Sequence, residues 1–241
     1  MRVLVVQNFG DEGLGLLGAA LEQAQAEVDV RKPYQGDLFG DAAGHDALVV
    51  LGGPQNARDD AGSPYFPELL AMMREYGDSG RSVMGTCLGS QLLARAYGGE
   101  NIIGGASEFG WCTVSRTQHG AHDPVLAAAP QSFPIFQWHD DTFTLPEGAT
   151  HLAHNEIARN QAFRIGRAAY GIQFHFEADQ AHVRHWRDTF SDVMAEQQPG
   201  WLERYSDEAA RHGPAADAAG MALARAWVAT VPAGAAARQT A

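Results

Sequence analysis

The segment Gly85-Thr86-Cys87-Leu88-Gly89-Ser90-Gln91 constrains the fold more than any other part of this 241-residue chain. A short apolar run, Ser82-Val83-Met84, precedes it and Leu92-Leu93-Ala94 continues it, so the order is strand, sharp turn, helix. Glycines two residues to either side of a central nucleophile make a nucleophile elbow, here with cysteine at its tip. The turn forces the central residue into a strained backbone, and a side chain at either flank would collide with the strand or the new helix. The thiol is left at a helix N-terminus, where the dipole and free N–H groups favour thiolate and can stabilise a developing oxyanion. The same pattern also suits a buried cysteine that merely begins a core helix. Partners elsewhere in the chain decide between the two.

Upstream of the elbow the chain alternates strands and helices. Residues 3–6 are a continuous apolar run, as a strand covered on both faces of a parallel sheet requires, and the run ends at Asn8-Phe9-Gly10. Residues 13–27 carry Leu14, Leu17, Leu21 and Ala24 at helical spacing. Residues 27–31 alternate as a second strand, and 47–51 form a third, buried one that runs into Gly52-Gly53-Pro54. Open α/β sheets bind ligands at the C-terminal edge of their parallel strands, and a glycine pair there offers N–H groups with no side chain in the way. Residues 64–76 predict a helix through Phe66, Leu69, Leu70 and Met73, closed by Asp78-Ser79-Gly80. With the elbow next, the alternation argues an α/β fold: a doubly wound, mostly parallel sheet flanked by helices, with Cys87 at its C-terminal edge.

From Gly98 to about Ile165 short alternating runs are punctuated by Gly, Pro, Asn and Asp, which predicts a β-rich insertion of hairpins and meanders. Residues 168–177 then read as a strand and 178–196 as a helix. Two further helical stretches over 200–231 form a C-terminal helical extension, and the Ala-rich tail from Pro232 has little to pack and is expected to fray. The organisation expected is one domain over 1–195 and the extension over 196–241. In a strand, residues two apart share a face, so His175 and Glu177 project together, the carboxylate placed to orient an imidazole that can act as base toward a thiol. A histidine paired with an acid for local packing would look the same.

Other chemistries fit less well. Gly13-x-Gly15-x-x-Gly18 matches a dinucleotide fingerprint, but it begins late, inside an amphipathic stretch and not in the turn directly after the strand. Lys32 is the only lysine and no Gly-Lys-Ser/Thr occurs, which excludes a Walker-type phosphate loop. The formal net charge of −12 opposes nonspecific nucleic-acid binding, which rests on cationic contacts to phosphate. The pairs His119/His122, His151/His154 and His182/His185 lack a third ligand at a recognisable spacing, so no metal and no cofactor are expected. No apolar run approaches the roughly 20 residues that span a bilayer. Residues 1–7 read as a first strand and not a signal-peptide h-region, so the expectation is a cytoplasmic protein with Cys87 and Cys112 as free thiols.

Gly-x-Cys-x-Gly-x-Gln at the elbow, Gly-Gly-Pro one strand earlier, and Gln173-Phe174-His175-Phe176-Glu177 near the end of the domain occur in that order. Together they resemble the class I, triad-type glutamine amidotransferases, over about residues 1–195. Ser107-Glu108-Phe109-Gly110-Trp111 and Trp138-His139-Asp140-Asp141 look most like the amidotransferase domain of GMP synthase and its stand-alone relatives. Phe176, where the family usually has proline, and Asp140, in place of a glycine, depart from the commonest pattern. The resemblance implies a flavodoxin-like fold and hydrolysis of the side-chain amide of glutamine. It makes Cys87 the nucleophile, His175 the base and acid, Glu177 the group that holds His175, and the N–H groups of Gly53 and Leu88 the oxyanion hole. Gln91, Glu108, Phe109, Gly110 and Trp111 correspond to glutamine-binding segments. The chain has no room for the ATP pyrophosphatase domain of GMP synthase, so the synthase partner that takes up the ammonia would be a separate polypeptide. A free-standing hydrolase of another γ-glutamyl compound, and a non-catalytic regulatory or binding module, remain the competing readings.

Overall fold

The apolar runs of the N-terminal half are buried along their length: Val3 to Val6 and Ala47 to Val50 are all 0% exposed. In this computed structural model, which describes residues 1–40 and 44–232, they become inner strands of one large sheet. In chain order the elements are β1 (Arg2–Val6), α1 (Gly15–Gln23), β2 (Glu27–Arg31), β3 (Ala47–Val50), α2 (Phe66–Asp78), β4 (Ser82–Thr86), α3 (Leu88–Ala96), β5 (Asn101–Ile102), β6 (Glu108–Arg116), β7 (Ser132–His139), β8 (Thr142–Phe143), β9 (Thr150–His154), β10 (Ala162–Ile165), β11 (Ala169–Ile172), α4 (Gln180–Thr189), α5 (Ser191–Gln197) and α6 (Trp201–Val228).

The sheet runs β2-β1-β3-β4-β11-β10-β9-β6-β7. Its first five strands are parallel, and the insertion adds four antiparallel strands through the β10–β11 pair. A small ribbon of β5 and β8 stands apart. Because successive strand residues face opposite ways, the parallel half feeds two cores. Val3, Val5 and Val49 face α1 and α6 with Leu21, Leu223 and Trp227. Leu4, Val6 and Val50 face α2 and α3 with Phe66, Leu69 and Leu92. No helix among the described residues is long and apolar enough to cross a membrane.

Three sequence expectations change. The strand expected over 168–177 stops at Ile172, because its parallel partner β4 ends at Thr86 where the elbow begins; beyond it Gln173 and His175 make isolated backbone bonds to Gln161 and Phe136. The helix expected over 178–196 is two, α4 and α5, broken at Phe190, whose ring packs between Phe9 and Trp138. The two helical stretches of 200–231 are instead one helix, α6, which runs through Pro214. An interior proline costs about 3 kcal/mol. Ala216, Ala219, Leu223 and Trp227 offset it by burying one stripe of α6 against the sheet and α1. Pro232 is described, but the rest of the expected frayed tail, 233–241, lies outside the described residues.

Candidate active site

Cys87 sits between β4 and α3 with φ 48° and ψ −110°, a conformation that costs an L residue energy and persists only where its surroundings enforce it. The flanking glycines enforce it. A Cβ on Gly85 would lie 2.3 Å from the carbonyl oxygen of Gly89, and one on Gly89 would lie 2.1 Å from that of Val50 on β3. The Cys87 N–H donates to the Ile172 carbonyl at 2.9 Å, and its own carbonyl accepts from the Ser90 hydroxyl at 2.7 Å, so the turn is pinned to both neighbours. Its sulfur is 3.8 Å from the Trp138 carbonyl oxygen and the residue is 7% exposed, at the floor of a cavity.

His175 and Glu177 meet although no strand carries them. The His175 N–H bonds to the Phe136 carbonyl at 2.9 Å, which leaves its ring standing edge-on to Trp186. Its Nδ1 is 2.7 Å from Glu177 Oε1, with both side chains almost fully buried. Burial opposes a charged imidazole, but Glu177 and Cys87 beside the ring outweigh it and hold its pKa well above the ordinary 6.5. The second Glu177 oxygen, Oε2, is buried without a hydrogen-bond partner among the described residues.

The cavity, about 430 Å³, lies at the C-terminal edge of the parallel strands, and Cys87, Leu88, Gly53, Gln91 and His175 line it. Gln91 donates from Nε2 to Gln173 Oε1 at 3.3 Å. The segment 108–111 runs along β6 behind this wall. Glu108 is buried, accepts from Gln161 Nε2 at 2.6 Å and from Asn155, and stands 3.2 Å from His139 Nε2. Phe109 and Trp111 pack in an aromatic cluster with Phe136 and Trp201, and Gly110, at φ 87°, brings the backbone close to the Trp201 indole. None of the four lines the cavity, whose far wall is Trp138, Trp186 and Phe190. The glycine fingerprint also finds a packing reason: a Cβ on Gly15 would lie 2.0 Å from the Glu177 carbonyl oxygen, and the Leu16 N–H donates to that oxygen at 2.8 Å.

Sequence reasoning missed Glu12. It follows β1 on the same sheet edge, and that position was the available signal. Its carboxylate lines the cavity, and one of its oxygens, a ring nitrogen of His175 and a Glu177 oxygen all lie within 4.8 Å of one another. Since His175 Nδ1 is engaged by Glu177, the cluster is a carboxylate–imidazole network. Burial pushes the Glu12 carboxyl up to about 7, with His175 opposing and Glu177 and Asp11 adding to the rise.

Comparison with known proteins shows the family. The family model described as "Glutamine amidotransferase class-I" matches residues 5–185. The glutamine amidotransferase-like protein YfeJ of Salmonella typhimurium is 29% identical over 202 residues, 80% of this chain and 84% of that protein. The glutamine-hydrolysing GMP synthase subunit of Methanoregula boonei is 33% identical over 179 residues, 73% of this chain and 89% of that one. A solved glutamine amidotransferase from Methylobacillus flagellatus superposes with a TM-score of 0.84 at 29% identity, covering 96% of this chain and 95% of its own. The chain belongs to the class-I glutamine amidotransferase family.

Proposed function

We propose that the protein hydrolyses the side-chain amide of glutamine through a Cys87–His175–Glu177 triad and releases ammonia to a separate synthase subunit. The observation that carries this is a cysteine held at φ 48° in a cavity beside an imidazole that is bound to a buried carboxylate at 2.7 Å. Cys87 Sγ attacks the amide carbon, and the N–H groups of Leu88 and Gly53, both on the cavity wall, stabilise the oxyanion. His175 takes the thiol proton and gives it to the departing ammonia, leaving a γ-glutamyl thioester. It then deprotonates the water that hydrolyses the thioester, and glutamate and free thiol result. Glu177 keeps the ring oriented and supports its charge. Gln91 supplies a polar contact to the glutamine, and segment 108–111 acts from behind the wall by positioning Trp138. The synthase partner is inferred from relatives whose names make them one subunit of a GMP synthase, and a cytoplasmic setting is part of the same proposal.

The test is mass spectrometry after exposure to a glutamine-analogue chloroketone, with the labelled peptide mapped, alongside ammonia release from glutamine. Labelling of Cys87 that glutamine suppresses is expected. Cys87→Ala should lower glutamine hydrolysis by about 10⁴-fold or more while the protein stays folded. Labelling that glutamine leaves unchanged, or turnover retained in the variant, overturns the reading.

A further inference from the structure

We propose that Glu12 is a positioning residue for the nucleophile: its carboxylate, within 4.8 Å of a ring nitrogen of His175, supports the charged imidazole and through it the reactivity of Cys87. The inference deepens the proposed triad and rests on the pairing of Cys87 with His175.

The loop carrying Glu12 is fixed from several sides. Gln7 Nε2 donates to the Glu12 carbonyl at 2.7 Å and to that of Gly10 at 3.2 Å, and Trp186 Nε1 donates to the Asp11 carbonyl at 3.0 Å. The side chain is aimed into the site across Gly52, where a Cβ would lie 3.3 Å from both Glu12 Oε2 and His175 Cε1. Glycine spares the two side chains the small shift that a Cβ would force on them.

The groups around Glu12 settle the sign. Asp11 is its loop neighbour, and His175 and Glu177 face it from the segment after β11. Cys87, His139, Asp140 and Asp141 share its cavity, and His182 of α4 sits 3.2 Å from a Cβ built on Gly13. Among the described residues no Lys or Arg lines the cavity, so the cation that Glu12 meets is His175. Coupling between two titrating groups is reciprocal: if charged His175 eases the ionisation of Glu12, ionised Glu12 stabilises charged His175 by the same amount. Burial pushes the carboxyl up to about 7, so the support arises across neutral pH. Glu177, already bonded to Nδ1, supplies orientation and a standing negative charge, and Glu12 adds the charge that varies.

The experiment is the pH–rate profile of Cys87 alkylation by iodoacetamide from pH 5.5 to 9, read by peptide mass spectrometry. Cys112, whose thiol burial pushes up to about 11, serves as an internal slow reference. The wild-type rate should rise through an inflection near pH 7. Glu12→Gln should lose that inflection and react about tenfold more slowly at pH 8, the equivalent of one pKa unit on the pair, while Glu12→Asp keeps the inflection. In a His175→Asn background Glu12→Gln should change nothing. Superimposable wild-type and Glu12→Gln profiles, a slowing equal at every pH, or an equal effect without His175 would each overturn the proposal. If Glu12→Gln does not fold, the wild-type His175 Cε1–H resonance decides: an inflection near pH 7 supports the assignment and its absence overturns it. No step uses glutamine, so a predicted profile without glutamine turnover would fail the proposed function and leave this inference standing.

Discussion

A single backbone angle separates Cys87 from an ordinary buried cysteine. At φ 48° and ψ −110° the residue carries strain of about 1–3 kcal/mol, which a glycine would not pay. Glycine loses about 0.5–1 kcal/mol through its freer unfolded chain. The difference favours it, so Cys87→Gly should be more stable than Cys87→Ala by about 1 kcal/mol, a rise of about 2–4 °C in Tm for a chain of this size. Equal melting temperatures would mean that the elbow stores no strain. Glu12 offers a second test in stability alone. Its carboxyl is raised from 4.5 to about 7 in the fold, so the stability linked to its proton is fully present below pH 4.5 and is lost as pH climbs through 7. Glu12→Gln, which has no proton to lose, should gain on the wild type across that window and hold a constant lead of about 1–3 kcal/mol above it. Urea midpoints at pH 5 and pH 8 measure this, and a pH-independent difference would contradict it.

The segment 175–177 is not itself a strand: one bridge to Phe136 of β7 holds His175, and two helices support the residues after it by close backbone approach. Gly15 of α1 lies against the Glu177 carbonyl, and Gly220 of α6 lies against the Phe176 carbonyl, where a Cβ would come within 2.3 Å of the oxygen. In a free helix Gly→Ala gains up to about 1 kcal/mol. Here the new methyl meets main chain that cannot swing aside, and a misfit of this kind costs about 1–3 kcal/mol, so the clash wins. Gly220→Ala should therefore lower Tm and, by displacing the backbone between His175 and Glu177, cut kcat/KM for the amidase reaction at least about tenfold. An unchanged rate with a lowered Tm would confine Gly220 to packing. The sequence made the elbow legible because its glycines sit in a local pattern that only a strand–turn–helix satisfies. The pairing of His175 with Glu177 was also legible, though from a strand geometry that ends at Ile172. Gly220 was not legible, and Glu12 was marked only by its place after β1, since each acts on residues far away in the chain and neither belongs to a local period or motif. The same holds for α6: Pro214 argues a break by itself, and only the sheet against which the helix lies overrules it.

Across the whole molecule the reactive edge and the stabilising base occupy opposite ends of the same strand. β4 begins at Ser82, whose hydroxyl meets the Thr230 carbonyl at 3.0 Å, and Val83, whose carbonyl accepts from the Trp227 indole at 3.3 Å; it ends at the elbow. Cys87 lies four positions after Val83, about 13 Å along an extended chain. The last turn of α6 thus packs under the sheet whose other edge holds the thiol, and Trp227 is fully buried in the core shared by β1, β3 and α1. Trp227→Ala should cost about 3–5 kcal/mol and lower Tm by about 6–20 °C. The whole chain should still melt in one transition, because the lost side chain belongs to the core that supports the parallel strands. At 15 °C, where the variant remains folded, Cys87 should be alkylated at the wild-type rate, since the lost side chain sits at the far end of β4 from the sulfur. If α6 were instead an appendage with its own stability, the variant would show a separate early transition and an unchanged main one. If Cys87 reactivity fell along with Tm, the base of the sheet and the edge that carries the thiol would be coupled through β4, and the division of labour between the two ends would be wrong.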